Sequence, residues 1–374
     1  MKVLTILGTR PEIIRLSEVI KTLDTYTSHV LVHTGQNYDY ELNEVFFKDL
    51  GLRKPDYFLD AAGSGTVETI ANILSKTDAL LEKEKPEAVL VLGDTNSALA
   101  VYAAKRRKIP VFHMEAGNRC FDERVPEELN RRVVDRMSDV NLVYSDRARE
   151  NLIREGFALD KVIKTGSPLF EVLASQKASI NASKILHTLK LKKGEYILAS
   201  FHREENVTNK ARLENIISAL IDLRATFGKE VLVSTHPRTR KLLEDITVSG
   251  KEDINFLKPF GFHDYVHLQQ NAFCAVSDSG TISEESAILG FPAVNLREAH
   301  ERLEAMDEAS VIMSGLDRKR IVQAVSLAVK NASDNQAPHL SVPPDYLVPN
   351  VSIKVVRIIL SYTDYIKRTV WGQT

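Results

Sequence analysis

The stretch Val3-Leu4-Thr5-Ile6-Leu7-Gly8-Thr9-Arg10-Pro11-Glu12-Ile13-Ile14-Arg15-Leu16 decides the fold. Val3–Leu7 is a short, mostly apolar run of β-forming residues and reads as a buried strand. Gly8 and Thr9 break it, and Pro11 falls where a first helical turn tolerates proline, since an N–H there has no helical partner anyway. Beyond it, Ile13, Ile14, Leu16, Ile20 and Leu23 recur close to the 3.6-residue period of a helix buried along one face. The same unit returns at Val30–His33, Ala88–Leu92, Val111–Met114 and Val140–Tyr144, each followed by a helical pattern. Short buried strands alternating with helices imply a parallel, doubly wound α/β sheet.

Gly166-Ser167-Pro168 closes this series, and after a Lys- and Ser-rich segment Tyr196–Phe201 opens a second one. Its further strands are Val231–Ser234, Ile254–Phe256, Cys274–Val276 and Ala293–Leu296. The expectation is two Rossmann-like domains, 1–168 and 169–352. The amphipathic stretch Ile353–Arg368, within 353–374, should return as a helix to the first. A chain of 374 residues is too long for one hydrophobic core and suits two. Ligands of such sheets bind at the carboxyl ends of the strands, in a cleft.

The 49 basic and 50 acidic side chains balance, so nothing electrostatic favours nucleic acid or a membrane surface. The only cysteines, Cys120 and Cys274, cannot form a disulfide framework and suit a reducing cytosol. Val3–Leu7 is far shorter than a secretory core, and no apolar run approaches the ~20 residues of a membrane span. The expected location is the cytoplasm.

Charged residues cluster directly behind the strands. Arg10 follows the first, at a helix start suited to holding an anion. Asp94, in Gly93-Asp94-Thr95, follows the very apolar run Val89–Leu92, where taken singly it reads as a helix cap. Glu115, in Glu115-Ala116-Gly117, stands directly behind a buried strand, and an unpaired buried charge is costly enough to imply a partner or a task. Glu127 and Glu128 open a helix, where the dipole alone accounts for acidic residues. Together such groups suit proton removal and return at carbon. In the second half, His202-Arg203-Glu204-Glu205-Asn206, Ser234-Thr235-His236-Pro237-Arg238 and Ser277-Asp278-Ser279-Gly280-Thr281 stand behind strands. The last is a small-residue turn of the kind that lets backbone amides approach a phosphate. His263 and His267 lack the glutamate of a zinc-protease pair, and neither a Walker loop nor a Gly-x-Gly-x-x-Gly is present, so no metal or cofactor is expected.

Read in order, Gly8-Thr9-Arg10-Pro11-Glu12, Gly93-Asp94-Thr95, Glu115-Ala116-Gly117, Pro126-Glu127-Glu128-Leu129-Asn130-Arg131, His202-Arg203 with Glu205-Asn206, and Ser277-Asp278-Ser279-Gly280 resemble the non-hydrolysing UDP-N-acetylglucosamine 2-epimerases over nearly the whole chain. The resemblance implies the two-domain glycosyltransferase B (GT-B) fold, a UDP-linked amino sugar as ligand, no cofactor, and a homodimer. It implies catalytic roles for Asp94, Glu115, Glu127 and His202. By the same likeness, Arg10, Arg15, His202, Arg302 and the turn Ser279, Gly280 and Thr281 contact the diphosphate or substrate, Glu285 the ribose, and Tyr265 the uracil. Departures include Arg15 for a lysine, Glu204 for an arginine, Thr281 for a glycine, and Asn37-Tyr38-Asp39-Tyr40 after Gln36. With Arg15-Leu16-Ser17-Glu18-Val19-Ile20, they resemble the branch making UDP-N-acetyl-L-fucosamine from its L-talo epimer for bacterial capsule or O-antigen. The alternatives are epimerisation of UDP-N-acetylglucosamine itself, a GT-B glycosyltransferase, and a non-catalytic UDP-sugar sensor.

Overall fold

The protein is described by a computed structural model covering residues 1–36, 40–334 and 341–373, with the side chains of 40–43, 204, 205, 237 and 238 outside that description. Asn37, Tyr38 and Asp39 and the side chains of Tyr40, Glu204, Glu205 and Arg238, singled out above, thus lie outside the described residues. The chain forms two compact units, Met1–Ser175 with Pro344–Thr374, and Gln176–Pro343.

In the first unit the parallel strands β1 (Lys2–Leu7), β2 (Ser28–His33), β3 (Tyr57–Phe58), β4 (Ala88–Leu92), β5 (Val111–Ala116), β6 (Val140–Val143) and β7 (Val162–Lys164) order as β3-β2-β1-β4-β5-β6-β7. Central strands carry continuous apolar runs because helices cover both sheet faces. All five residues of β4 are buried. Helix Arg10–Tyr26 turns Ile13, Leu16, Val19, Ile20 and Leu23 inward. Against it lies the last helix, Val351–Trp371, through a face that includes Val355, Val356 and Ile359. Each such buried aliphatic contributes roughly 1.5–3 kcal/mol. Residues after 344 belong to this unit through specific bonds. The Ser167 amide donates to the Asp345 carbonyl at 2.9 Å, and Glu171 accepts from the Ser352 amide and hydroxyl at 2.8 and 2.6 Å. The latter contact also keeps the first turns of helix Leu169–Asn181 with this unit.

The second unit has β8 (Tyr196–Ser200), β9 (Glu230–Ser234), β10 (Asn255–Leu257), β11 (Cys274–Ser277), β12 (Ala293–Asn295) and β13 (Ile312–Met313), ordered β10-β9-β8-β11-β12-β13 and all parallel. Its main core gathers Ile197, Phe201, Leu220, Val233, Val276 and Val325 beneath helices Lys210–Phe227 and Arg318–Ser333. Tyr57–Phe58, Val162–Lys164 and Ile312–Met313 escape the sequence reading; each is an edge strand of two or three residues with no alternation long enough to see.

Candidate active site

In the first unit, chemistry gathers at the carboxyl ends of β1, β4 and β5. The turn after β1 is packed so closely that a Cβ on Gly8 would stand 2.1 Å from Thr34 Oγ1 and 2.2 Å from Ser97 Oγ. Glu12, one turn into the following helix, folds back on it. Its Oε2 accepts from the Gly8 amide at 3.0 Å and the Thr9 hydroxyl at 2.7 Å, and its Oε1 accepts from Thr95 Oγ1 at 2.9 Å. Glu12 is 1% exposed, and burial outweighs these bonds, raising its pKa to about 7. One buried carboxyl therefore ties the turn carrying Arg10 to the turn carrying Asp94. Arg10 opens the helix with its guanidinium 5.6 Å from the centre of the Phe46 ring. Arg15 is buried, reaching Ser167 Oγ at 3.3 Å and standing 5.7 Å from the centre of the Tyr144 ring.

Asp94 is gripped by Arg131, whose Nε and Nη2 lie 3.0 and 2.7 Å from its Oδ2. Arg131 is buried and also donates to Glu128 Oε2 at 3.1 Å, so one guanidinium spans two carboxylates. Glu128 is wholly buried. Burial pushes its pKa up, but the Cys120 amide, Arg132 and Arg131 outweigh that and hold it below the usual carboxylate range. Glu127, its neighbour in the first turn of helix Pro126–Met137, is half-buried.

Glu115 sits where the β5–β6 register slips between Met114 and Ala116, a bulge, and has φ +66°. A non-glycine residue held there stores roughly 1–3 kcal/mol of strain, and such strain gathers at functional sites. The bulge turns the carboxylate toward the β4 end, where an added Cβ on Gly93 would lie 3.6 Å from Glu115 Oε2. Behind it His113, fully buried, sets Nε2 2.8 Å from the Gly93 carbonyl and Nδ1 2.9 Å from Asp135. Asp135 also accepts from the Gly117 amide at 3.2 Å and from Arg119 at 2.7 Å. The loops bearing Asp94 and Glu115 thus share one rigid polar foundation.

In the second unit the ends of β8 and β11 lie side by side. Asp278 is fully buried and accepts from the His202 amide at 3.1 Å, the Arg203 amide at 3.0 Å and Asn206 Nδ2 at 3.0 Å. His202 stands above it, its side chain 40% exposed and Nδ1 3.5 Å from Asp278. Ser200 Oγ bonds Tyr265 Oη and Ser277 Oγ, each at 2.8 Å. Ser279 Oγ pairs with Thr281 Oγ1 at 3.0 Å, and Thr281 Oγ1 donates to Glu285 Oε1 at 3.0 Å. Gln269 Nε2 donates to Glu285 Oε2 at 2.6 Å, which fixes that carboxylate from both sides. Gly280 precedes helix Ile282–Leu289, whose N-terminus suits an anion. Arg302 is buried, 3.9 Å from Glu284.

The first unit therefore brings together Arg10, Asp94 and Glu115, with Glu127 and Arg15 on neighbouring elements. The second brings together His202, Tyr265, Ser279, Gly280, Thr281 and Glu285. Sequence reading overlooked Glu12, Arg131, Asp135 and Asp278 as organisers. Glu12, Arg131 and Asp278 fall within the motifs named above and Asp135 lies further along the helix that carries Arg131, but the partner that makes burial tolerable is mostly distant in sequence. Among the described residues no helix is long and apolar enough to cross a membrane.

Two parallel α/β units are the architecture of the GT-B fold, which solved UDP-N-acetylglucosamine 2-epimerases similar to this chain share. A solved UDP-N-acetylglucosamine 2-epimerase from Rickettsia bellii is 49% identical, with 100% of both chains covered and a TM-score of 0.92. The Methanocaldococcus jannaschii enzyme, solved with UDP-GlcNAc and UDP, is 31% identical over 96% of this chain and 100% of that one, TM-score 0.89. A curated Pseudomonas aeruginosa relative, UDP-2,3-diacetamido-2,3-dideoxy-D-glucuronate 2-epimerase, is 34% identical over 87% of this chain and 92% of its own length. The UDP-N-acetylglucosamine 2-epimerase family model matches residues 21–360. The chain belongs to this family and is an isomerase, a UDP-sugar 2-epimerase.

Proposed function

We propose that the protein inverts carbon 2 of a UDP-linked N-acetyl amino sugar by removing the carbon 2 proton, expelling UDP from carbon 1, and adding UDP back after reprotonation on the opposite face. The observation that carries this is the strained, bulge-borne Glu115 set beside the Asp94–Arg131 pair. Two carboxylates on one sheet edge suit the handling of a proton and do nothing for a diphosphate, which they would repel. Asp94, Glu115 and Glu127 manage the proton. His202, Arg10, Arg15, Arg302 and the Ser279–Thr281 turn hold and stabilise the departing UDP, where negative charge develops. Glu285 takes the ribose and Tyr265 the uracil. No cofactor enters this cycle.

The substrate we assign is UDP-2-acetamido-2,6-dideoxy-L-talose, converted to UDP-N-acetyl-L-fucosamine for bacterial capsule or O-antigen. Support comes from the sequence alone, in the likeness of Arg15-Leu16-Ser17-Glu18-Val19-Ile20 and Gly35-Gln36-Asn37-Tyr38-Asp39 to that branch. A site that would strand a buried polar group rejects the wrong sugar strongly. The second reading, epimerisation of UDP-N-acetylglucosamine to the manno sugar, is favoured by the names of the Rickettsia and Methanocaldococcus relatives. A cytoplasmic homodimer belongs to either reading. Incubating the protein with each UDP-sugar and resolving the carbon 2 epimers by proton NMR separates the two. Faster turnover of the 6-deoxy sugar supports the assignment, and turnover of UDP-N-acetylglucosamine alone replaces it.

A further inference from the structure

Next to the Ser279–Thr281 turn lies a buried charge cluster with no part in the roles above. A Cβ added to Gly280 would meet Glu301 Oε1 at 2.4 Å and Arg297 Nη1 at 3.2 Å, so a carboxylate and a guanidinium both press on the glycine at the helix start. Arg297 is 4% exposed and Glu301 9%. Arg297 Nη2 lies 2.9 Å from Glu301 Oε2, and Arg203 Nη2 lies 3.7 Å from Glu301 Oε1. Arg297 Nη1 has no hydrogen-bond partner among the described residues. A guanidinium stays charged at any working pH, and burying its donors without full pairing is costly.

A carboxylate held by two guanidinium groups over a glycine at a helix N-terminus occupies the surroundings a phosphate oxygen prefers. Arginine recognises both anions through the same planar fork. We propose that Gly280, Arg297 and Arg203 form an anion subsite that the chain's own Glu301 fills in the absence of ligand, and that a diphosphate displaces Glu301 on binding. This rests on the UDP-sugar reading for the identity of the diphosphate, though not for the existence of the subsite. Displacement leaves Arg297 its donors for the incoming anion, and it makes Glu301 an internal competitor that weakens UDP binding and speeds product release.

The test is titration calorimetry of UDP, and separately of inorganic pyrophosphate, against wild type, Glu301→Gln, Glu301→Asp and Glu301→Gln with Arg297→Met. Removing a charged competitor for an arginine should tighten both ligands about tenfold in Glu301→Gln. Glu301→Asp keeps the charge, and with it the neutralisation of the buried arginines, but is one methylene shorter and retreats from Gly280. It should bind more tightly than wild type even if Glu301→Gln folds poorly. Adding Arg297→Met should abolish the gain. Equal or weaker UDP binding in both single variants overturns the proposal, as does an unchanged gain without Arg297. Pyrophosphate that tightens as expected while UDP binds to none of the proteins keeps the subsite and removes the nucleotide reading. UDP that binds wild type and variants alike keeps the reading and removes the subsite.

Discussion

Replacing Glu12 with glutamine should change how stability depends on pH. The buried carboxyl has a folded-state pKa of about 7 against an ordinary 4.5, with burial the dominant cause. Below 4.5 it is protonated whether the chain is folded or not, and its contribution is fully present. Between the two values folding takes up a proton. Above about 7 the folded state must keep an ionised carboxylate out of water, and that contribution is lost. At about 1.4 kcal/mol per pH unit, the displacement amounts to roughly 3 kcal/mol. Glutamine cannot ionise, so the wild-type chain should lose roughly 3 kcal/mol relative to Glu12→Gln between pH 4.5 and pH 8, whatever fixed difference the lost hydrogen bonds introduce. The assay is urea unfolding across that range, followed by the fluorescence of Trp371. This single tryptophan ends the last helix of the first unit, with Lys105 Nζ 5.3 Å from the centre of its ring. Parallel stability profiles for the two proteins would show that Glu12 does not titrate on folding, because every other titrating group is common to both.

Three further perturbations follow. Arg131→Met leaves Asp94 and the buried Glu128 without their shared cation and should lower stability by roughly 3–5 kcal/mol, read by the same unfolding experiment; a loss under about 1 kcal/mol contradicts the bridge. Glu115→Gly releases the strain of φ +66° and should be about 1 kcal/mol more stable than Glu115→Ala while both lose epimerisation, checked by calorimetric melting beside turnover. Gly8→Ala forces a methyl against Thr34 and Ser97 and should cost roughly 1–3 kcal/mol, so an unchanged melting temperature contradicts the close packing.

The architecture was legible where burial writes itself into consecutive residues. Val89-Leu90-Val91-Leu92 is apolar throughout because helices cover both faces of a central parallel strand. Tyr57–Phe58 and Ile312–Met313 were not legible, since two residues at a sheet edge leave no periodic trace. At the site, sequence showed which charged residues stand behind strands, but not which are buried and with whom. Asp278 reads as part of a phosphate turn, yet its carboxylate is fully buried under the amides of His202 and Arg203, contributed by a different strand end. Glu12 stands in the sequence only as the last residue of Gly8-Thr9-Arg10-Pro11-Glu12. Its role in tying Thr9 to Thr95 depends on β1 and β4 being neighbours in the sheet, which local pattern does not encode.

Whether the strand-end carboxylates move the proton on carbon 2 is read from turnover in deuterium oxide followed by proton NMR. Wild type should place deuterium at carbon 2 of the product. Asp94→Asn, Glu115→Gln and Glu127→Gln should each slow that exchange by ~10²-fold or more while still binding UDP. Epimer formed with its original carbon 2 hydrogen, or wild-type exchange in all three variants, would contradict that role of the carboxylates.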